Sequence, residues 1–115
     1  MVITKSKSVR FNRLTPAMAY MLYKLEQFHY LDLVPQPEDL VITSMNDGKH
    51  MEGSRHYTDE AMDLRSKNFQ DNPHKVIFAS AFQEFLGNKF RVILENLNKP
   101  NEHFHIQVRK GMRYP

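Results

Sequence analysis

The sequence predicts an α+β domain in which two main helices accompany a mostly antiparallel sheet. Two segments carry apolar residues at helical spacing, and four short segments have the alternating or β-branched pattern of strands. The chain shows no internal repeat, no low-complexity tract and no shift of composition on the scale of a domain. We therefore expect one domain over residues 1–115, with residues 1–14 as a basic N-terminal arm.

The first helix is predicted to follow Thr15, a good N-cap residue, with Pro16 at the first helical position. Its apolar stripe recurs at three- and four-residue intervals and consists of Met18, Met21, Leu22, Leu25 and Phe28. The second helix is predicted from Asn72-Pro73 to a stop at Gly87-Asn88. Its apolar face consists of Phe78, Ala81, Phe82, Phe85 and Leu86. Such stripes are typical of core packing.

Four strands are predicted, over residues 40–44, 61–65, 90–95 and about 103–108. In the last of these, Phe104, Ile106 and Val108 point to one side. The residues between them point to the other side, and they are His103, His105 and Gln107. Asp63 likewise alternates with Met62 and Leu64, so it occupies the face of its strand that is turned away from the core.

The composition excludes several classes of protein and of site. Hydrophobic residues make up 41% and charged residues 25%, as in ordinary globular domains. A net charge of +3 is too small to require a nucleic-acid partner, and no stretch is apolar enough to span a membrane. The chain has no cysteine, so imidazole and carboxylate are the strong transition-metal ligands that remain. Five of the six histidines lie at or after position 50, which directs the search for a metal site there.

The candidate site residues are few, because phosphate-binding loops, G-x-S-x-G and H-E-x-x-H are all missing. The candidates that remain are His56, Asp63, Glu102, His103 and His105. If the strands of Asp63 and the two late histidines adjoin, Asp63 shares a surface with one or both imidazoles. That arrangement suits a tetrahedral metal ion with three protein ligands and an open fourth position. The alternative is a pair of polar residues on a solvated strand face.

Two segments carry a resemblance to a known family. The segment from Ser54 to Arg65, SRHYTDEAMDLR, resembles the S-x-H-x-x-G-x-A-x-D signature of the zinc D-Ala-D-Ala carboxypeptidase family. Glu102-His103-Phe104-His105 is similar to the family's second signature, an acidic residue three positions before the last histidine ligand. The family includes D-Ala-D-Ala dipeptidases and phage L-alanyl-D-glutamate endolysins, and Hedgehog signalling domains share its fold. The resemblance covers roughly residues 41–108 and implies that fold here.

The resemblance also implies a ligand set and catalytic roles. His56, Asp63 and His105 would hold one Zn²⁺, and Ser54 would support the loop of the first ligand. Glu102 would be the general base that takes a proton from the metal-bound water, although a residue three positions before His105 on a regular strand faces the opposite way. A turn or a bulge at Glu102 would resolve that difficulty. His103 would contribute to transition-state stabilisation, or it is an imidazole that only supports a ligand or is exposed to solvent.

The chain departs from the family pattern at three positions. Asp59 stands in place of a glycine, Phe104 in place of a tryptophan, and Asp47 where relatives often carry an arginine that polarises the carbonyl. The residues that could substitute for that arginine are Lys49, His50 and Arg55, and the sequence does not select among them.

These observations predict a zinc metallopeptidase that hydrolyses an amide bond in peptidoglycan stem peptides, of the D-Ala-D-Ala carboxypeptidase or the L-Ala-D-Glu endolysin type. The alternative is a non-catalytic zinc-binding module of the same fold. A small nucleic-acid binder that uses Lys5, Lys7, Arg10 and Arg13 is a third and weaker hypothesis. We expect a monomer that is made in the cytoplasm without a signal peptide and acts on the cell wall if it is released. The scissile bond, and exo- or endo-cleavage, stay open.

Overall fold

Five strands form one mixed sheet, and two helices accompany it. The structure is a computed structural model that describes residues 1–9, 15–45 and 60–109. In chain order the elements are β1 (Val2–Thr4), α1 (Pro16–Leu31), β2 (Leu40–Ser44), β3 (Ala61–Arg65), α2 (Asn72–Leu86), β4 (Phe90–Glu95) and β5 (His103–Val108). The α+β class, both helices and the four predicted strands are confirmed.

The strand order in the sheet is β1-β2-β3-β5-β4. Strand β1 runs parallel to β2, with Val2 opposite Leu40, and the other three pairings are antiparallel. The sheet is therefore mostly antiparallel, as predicted. Strand β1 is an addition to the prediction, and it lies at the edge of the sheet beside β2.

Both helices begin and end with defined caps. The Thr15 side chain accepts a hydrogen bond from the Met18 N–H at 3.1 Å, which satisfies one of the free donors of the first turn of α1. In α2 the equivalent N-cap is Asp71, which accepts from the His74 N–H at 3.0 Å. Gly87 caps the end of α2 with a φ of 102°, a conformation that glycine adopts without steric cost. The predicted stop at Gly87 is confirmed.

One hydrophobic core lies between the helices and the inward face of the sheet. Phe78 of α2 packs against Phe104 of β5 with ring centroids 5.0 Å apart, and it also contacts Phe28 of α1 at 5.6 Å. Since Phe104 and Ile106 are fully buried in this core, the alternate residues of β5 project from the opposite face of the sheet. Among the described residues, no helix is long and apolar enough to cross a membrane.

Candidate metal centre

The register of three neighbouring strands brings two acidic residues and two histidines together. Asp63 of β3 lies directly opposite His105 of β5, and Glu95 of β4 lies directly opposite His103. Residues that face each other across an antiparallel pair project from the same side of the sheet. These four side chains therefore share the outward face, behind Phe104 and the core. The strands of Asp63 and the two histidines do adjoin, so the condition for a shared surface is met.

The four side chains are close enough to interact directly. His105 Nδ1 lies 2.8 Å from Asp63 Oδ1, and His103 Nε2 lies 3.2 Å from Glu95 Oε1. The two other pairs are longer, with 3.8 Å from His103 Nε2 to Asp63 Oδ1 and 3.9 Å from His105 Nδ1 to Glu95 Oε1. The exposed fraction of the side chain is 13% for His105, 15% for Asp63, 25% for His103 and 40% for Glu95. Asp63 and His105 thus form the sheltered half of the group.

Gln107 holds the other side of the His105 ring. Its Oε1 lies 2.8 Å from His105 Nε2, while its Nε2 donates to the Val108 carbonyl at 3.2 Å. Burial on its own would lower the pKa of His105, but hydrogen bonds to Asp63 and Gln107 and the charges of Asp63 and Glu95 outweigh burial and raise it. With acceptors at both nitrogens, the ring retains its second proton to a higher pH than an isolated imidazole does.

The donor set could hold a metal ion. Asp63, His103 and His105 each offer one ligand atom, and the three atoms lie within 4.8 Å of one another. Two imidazole nitrogens and one carboxylate oxygen are a common ligand combination for Zn²⁺. Binding requires His105 Nδ1 to give up its proton, and Gln107 Oε1 would then accept from the remaining Nε2–H. A hydrogen bond of that kind orients many metal-ligating histidines.

Glu102 has a different environment. It lies between the turn over residues 96–101 and the start of β5, and its carboxylate contacts groups other than the candidate metal ligands. The Lys75 ammonium lies 2.7 Å away, the Ser66 hydroxyl donates at 2.5 Å, and the Asn98 N–H donates at 2.8 Å. The structure does not bring Glu102 into the group of Asp63, His103 and His105.

The contacts of Glu102 bear on its predicted role as general base. Burial would raise its pKa, yet the hydrogen bonds from Lys75, Ser66 and Asn98 and the charge of Lys75 lower it to about 2. A carboxylate with so low a pKa accepts protons poorly at neutral pH. The general-base role stays a prediction, and this arrangement gives it no support.

The remaining predicted site residues lie outside the described residues. These are His56 and Ser54 of the first signature, Asp59 at the glycine position, Asp47 at the arginine position, and the three alternatives to that arginine, Lys49, His50 and Arg55. Of the ligand set that the resemblance implies, the structure therefore describes Asp63 and His105, and it places them side by side.

Glu95 is the residue of this group that the sequence analysis missed. The alternation in β4 already separates Glu95 from the apolar positions Val92 and Leu94. The missing information was the pairing of β4 with β5, which sets Glu95 opposite His103. The short turn over residues 96–101 between the two strands is the signal for that pairing, because short connections usually join adjacent antiparallel strands.

Comparison of the chain with known protein families, with curated proteins and with solved structures finds no match. The resemblance to the zinc D-Ala-D-Ala carboxypeptidase family therefore depends on the residues of the two signatures.

Proposed function

We propose that this protein binds Zn²⁺ and hydrolyses an amide bond in peptidoglycan stem peptides. The observation that carries the proposal is the cross-strand pair of Asp63 and His105, 2.8 Å apart and mostly shielded from solvent. These two residues are ligands in the family that the chain resembles, and they are also the sheltered part of the group that could hold a metal ion. The family resemblance and the strand register thus support the same pair of ligands.

The third ligand distinguishes two versions of the site. The resemblance implies His56, whereas His103 is the third member of the group that the described residues form. In either version Asp63 and His105 position the ion, and the sheltered pair keeps bulk water from one side of it. Zinc, when bound, would polarise the scissile carbonyl and lower the pKa of a water molecule towards about 7.

Metal analysis of purified variants tests the ligand set. We expect one zinc ion per chain in the wild type and loss of the ion in His105→Ala. Loss in His56→Ala or in His103→Ala identifies the third ligand. His74→Ala is the matched control, because His74 lies at the start of α2, where its ring is near Asp71 and not near the candidate ligands, and its substitution should leave the zinc content unchanged. A wild-type protein without affinity for zinc would contradict the proposal.

Hydrolysis is tested separately on stem peptides. Zinc-loaded protein is incubated with peptides that contain L-Ala-D-Glu and D-Ala-D-Ala bonds, and the released amine is measured with and without a chelator. We expect release that the chelator abolishes and that added zinc restores, and the peptide that is cut identifies the bond. If zinc-loaded protein released no amine from any of these peptides, the hydrolase proposal would fail.

A non-catalytic zinc-binding module is the second candidate, and the environment of Glu102 favours it. If the carboxylate remains with Lys75 and Ser66, as here, it does not serve the metal centre. This candidate predicts zinc binding without hydrolysis in both the wild type and Glu102→Gln. An active wild type, together with an inactive Glu102→Gln protein that still binds zinc, would favour the enzyme instead.

A further inference from the structure

Glu95 lies beside both imidazoles of the candidate metal centre. Its Oε1 is 3.2 Å from His103 Nε2 and 3.9 Å from His105 Nδ1. We infer that Glu95 is a further ligand of the metal ion, so that two carboxylates and two imidazoles form the site. Four protein ligands fill a tetrahedral zinc site and leave no open position for water, so this inference favours the non-catalytic zinc-binding module over the hydrolase. The inference depends on the metal binding that the proposed function includes, but it does not depend on hydrolysis.

The donor atoms alternate in type around the site. In order they are Asp63 Oδ1, His105 Nδ1, Glu95 Oε1 and His103 Nε2, and successive pairs are 2.8, 3.9, 3.2 and 3.8 Å apart. In a tetrahedral zinc site with bonds of about 2.0–2.1 Å, all six donor pairs are about 3.3 Å apart. The four successive pairs are 2.8–3.9 Å apart, and Glu95 lies outside the group whose ligand atoms are all within 4.8 Å of one another, so its carboxylate has to move inwards to bind. Glu95 is the outermost donor, and the 40% exposure of its side chain leaves room for the rotation that brings it onto the ion.

The charges of the group also favour a divalent cation. Asp63 and Glu95 place two carboxylates next to the same two rings, in a region where Asp63 and His105 are largely desolvated. Two acidic groups in such a place repel each other unless a positive charge lies between them. One Zn²⁺ with neutral imidazoles balances both carboxylates, since +2 and −2 sum to zero.

Glu95 lies on a regular strand and not on a loop. It is the last residue of β4 and lies opposite His103, and β5 in turn connects this pair to Asp63 on β3. All four donors therefore project from three hydrogen-bonded strands. Ligands on regular strands are held more precisely than ligands on loops, so little rearrangement is needed for binding.

The test is the zinc affinity of Glu95→Gln, measured by competition with a chromophoric chelator at neutral pH. Glu95→Gln preserves the shape of the side chain and removes the charge. We expect the affinity to fall about tenfold or more, since even residues that only orient a ligand contribute roughly 10–100-fold. The matched control is Glu84→Gln, the same substitution at an exposed position of α2, and it should not change the affinity.

A second measurement reports on coordination directly. Co²⁺ replaces Zn²⁺, and its visible absorption spectrum is recorded for the wild type, Glu95→Gln and Glu95→Asp. We expect a changed spectrum for Glu95→Gln and a spectrum closer to the wild type for Glu95→Asp, which keeps a carboxylate. Circular dichroism in the presence of a chelator checks that each variant is folded. If Glu95→Gln does not fold, the zinc affinity and cobalt spectrum of Glu95→Asp are compared with those of the wild type instead.

The outcomes separate this inference from the proposed function. Equal zinc affinity and equal cobalt spectra in the wild type and Glu95→Gln would overturn the role of Glu95 and leave Asp63 and His105 as ligands. Absence of zinc binding in the wild type would overturn both. Reduced hydrolysis in Glu95→Gln at unchanged zinc affinity would also overturn the role as a ligand.

Discussion

Two clusters of polar side chains lie on opposite faces of the sheet near the start of β5. The inner cluster lies on the helix side of the sheet and consists of Ser66, Lys75, Asn98 and Glu102. The outer cluster lies on the other face and consists of Asp63, Glu95, His103 and His105. Glu102 and His103 are neighbours in sequence, yet one side chain joins the inner cluster and the other joins the outer cluster.

The two clusters differ in how their charges are balanced. In the inner cluster one carboxylate meets one ammonium group, and both oxygens of Glu102 accept hydrogen bonds. Such a cluster has no ligand position to offer and stabilises the fold. In the outer cluster two carboxylates meet two imidazoles, whose charge depends on pH and whose nitrogens can bind metals. The comparison shows that the face of the sheet, more than the residue type, decides whether a carboxylate meets an ammonium group or imidazoles.

The largest effect is expected from breaking the inner cluster. Lys75→Met leaves the Glu102 carboxylate, whose side chain is only 1% exposed, without its cation. Loss of one partner of a buried ion pair costs about 3–5 kcal/mol, so the free energy of unfolding in urea should fall by that amount. Lys89→Met is the control at an exposed position and should change it by less than about 0.5 kcal/mol. A loss for Lys75→Met as small as the control's would mean that the ion pair is not structural.

The next largest effect is expected in the pH dependence of the free energy of unfolding. The pKa of Glu102 is about 2 in the folded protein, below its ordinary value of 4.5. The contribution of its ionised form to the free energy of unfolding is therefore complete above pH 4.5 and disappears as the pH falls towards 2. At neutral pH the contribution is on the order of 3 kcal/mol. Glu102→Gln should therefore be much less stable than the wild type near pH 6, and the difference should shrink in acid. A difference that is constant with pH in urea unfolding would contradict the low pKa.

A smaller effect is expected in the outer cluster from Gln107. Gln107→Leu removes the acceptor at His105 Nε2, so the ring loses the hydrogen bond that directs Nδ1 towards Asp63. The zinc affinity should fall roughly 10–100-fold, while Gln107→Glu, which keeps an acceptor, should lose less. Gln70→Leu, at an exposed position, serves as the control. Unchanged affinity in Gln107→Leu would indicate that Gln107 does not orient the ring.

Most of the fold is predictable because its signals are local. Thr15 and Pro16 mark the start of α1, and the alternation in β5 identifies its buried face before any partner is known. Strand β1 is different, because its three residues are too few to show a period and it exists through its parallel pairing with β2. A pairing between segments almost forty residues apart leaves no local trace in the sequence.

The candidate site is predictable only in part, for a similar reason. Alternation places His103 and His105 on one face and Asp63 on the outward face of β3, and the structure joins them. The same alternation turns Glu102, two positions before Phe104, towards the core side of the sheet. Its ion-pair partner there, Lys75 of α2, could not be predicted, because it lies far away in sequence.

The alternation in β5 has a consequence for how the protein tolerates insertions. Phe104 and Ile106 fill the core, and His103 and His105, between them, belong to the outer cluster. A single residue inserted in or deleted from the turn over residues 96–101 that shifted β5 by one position would exchange the two sets, because strand side chains repeat every second residue. Imidazoles would then face the core and phenylalanine the solvent. The candidate metal centre and the core depend on the same register of β5, so a slip of one residue that disrupts one also disrupts the other.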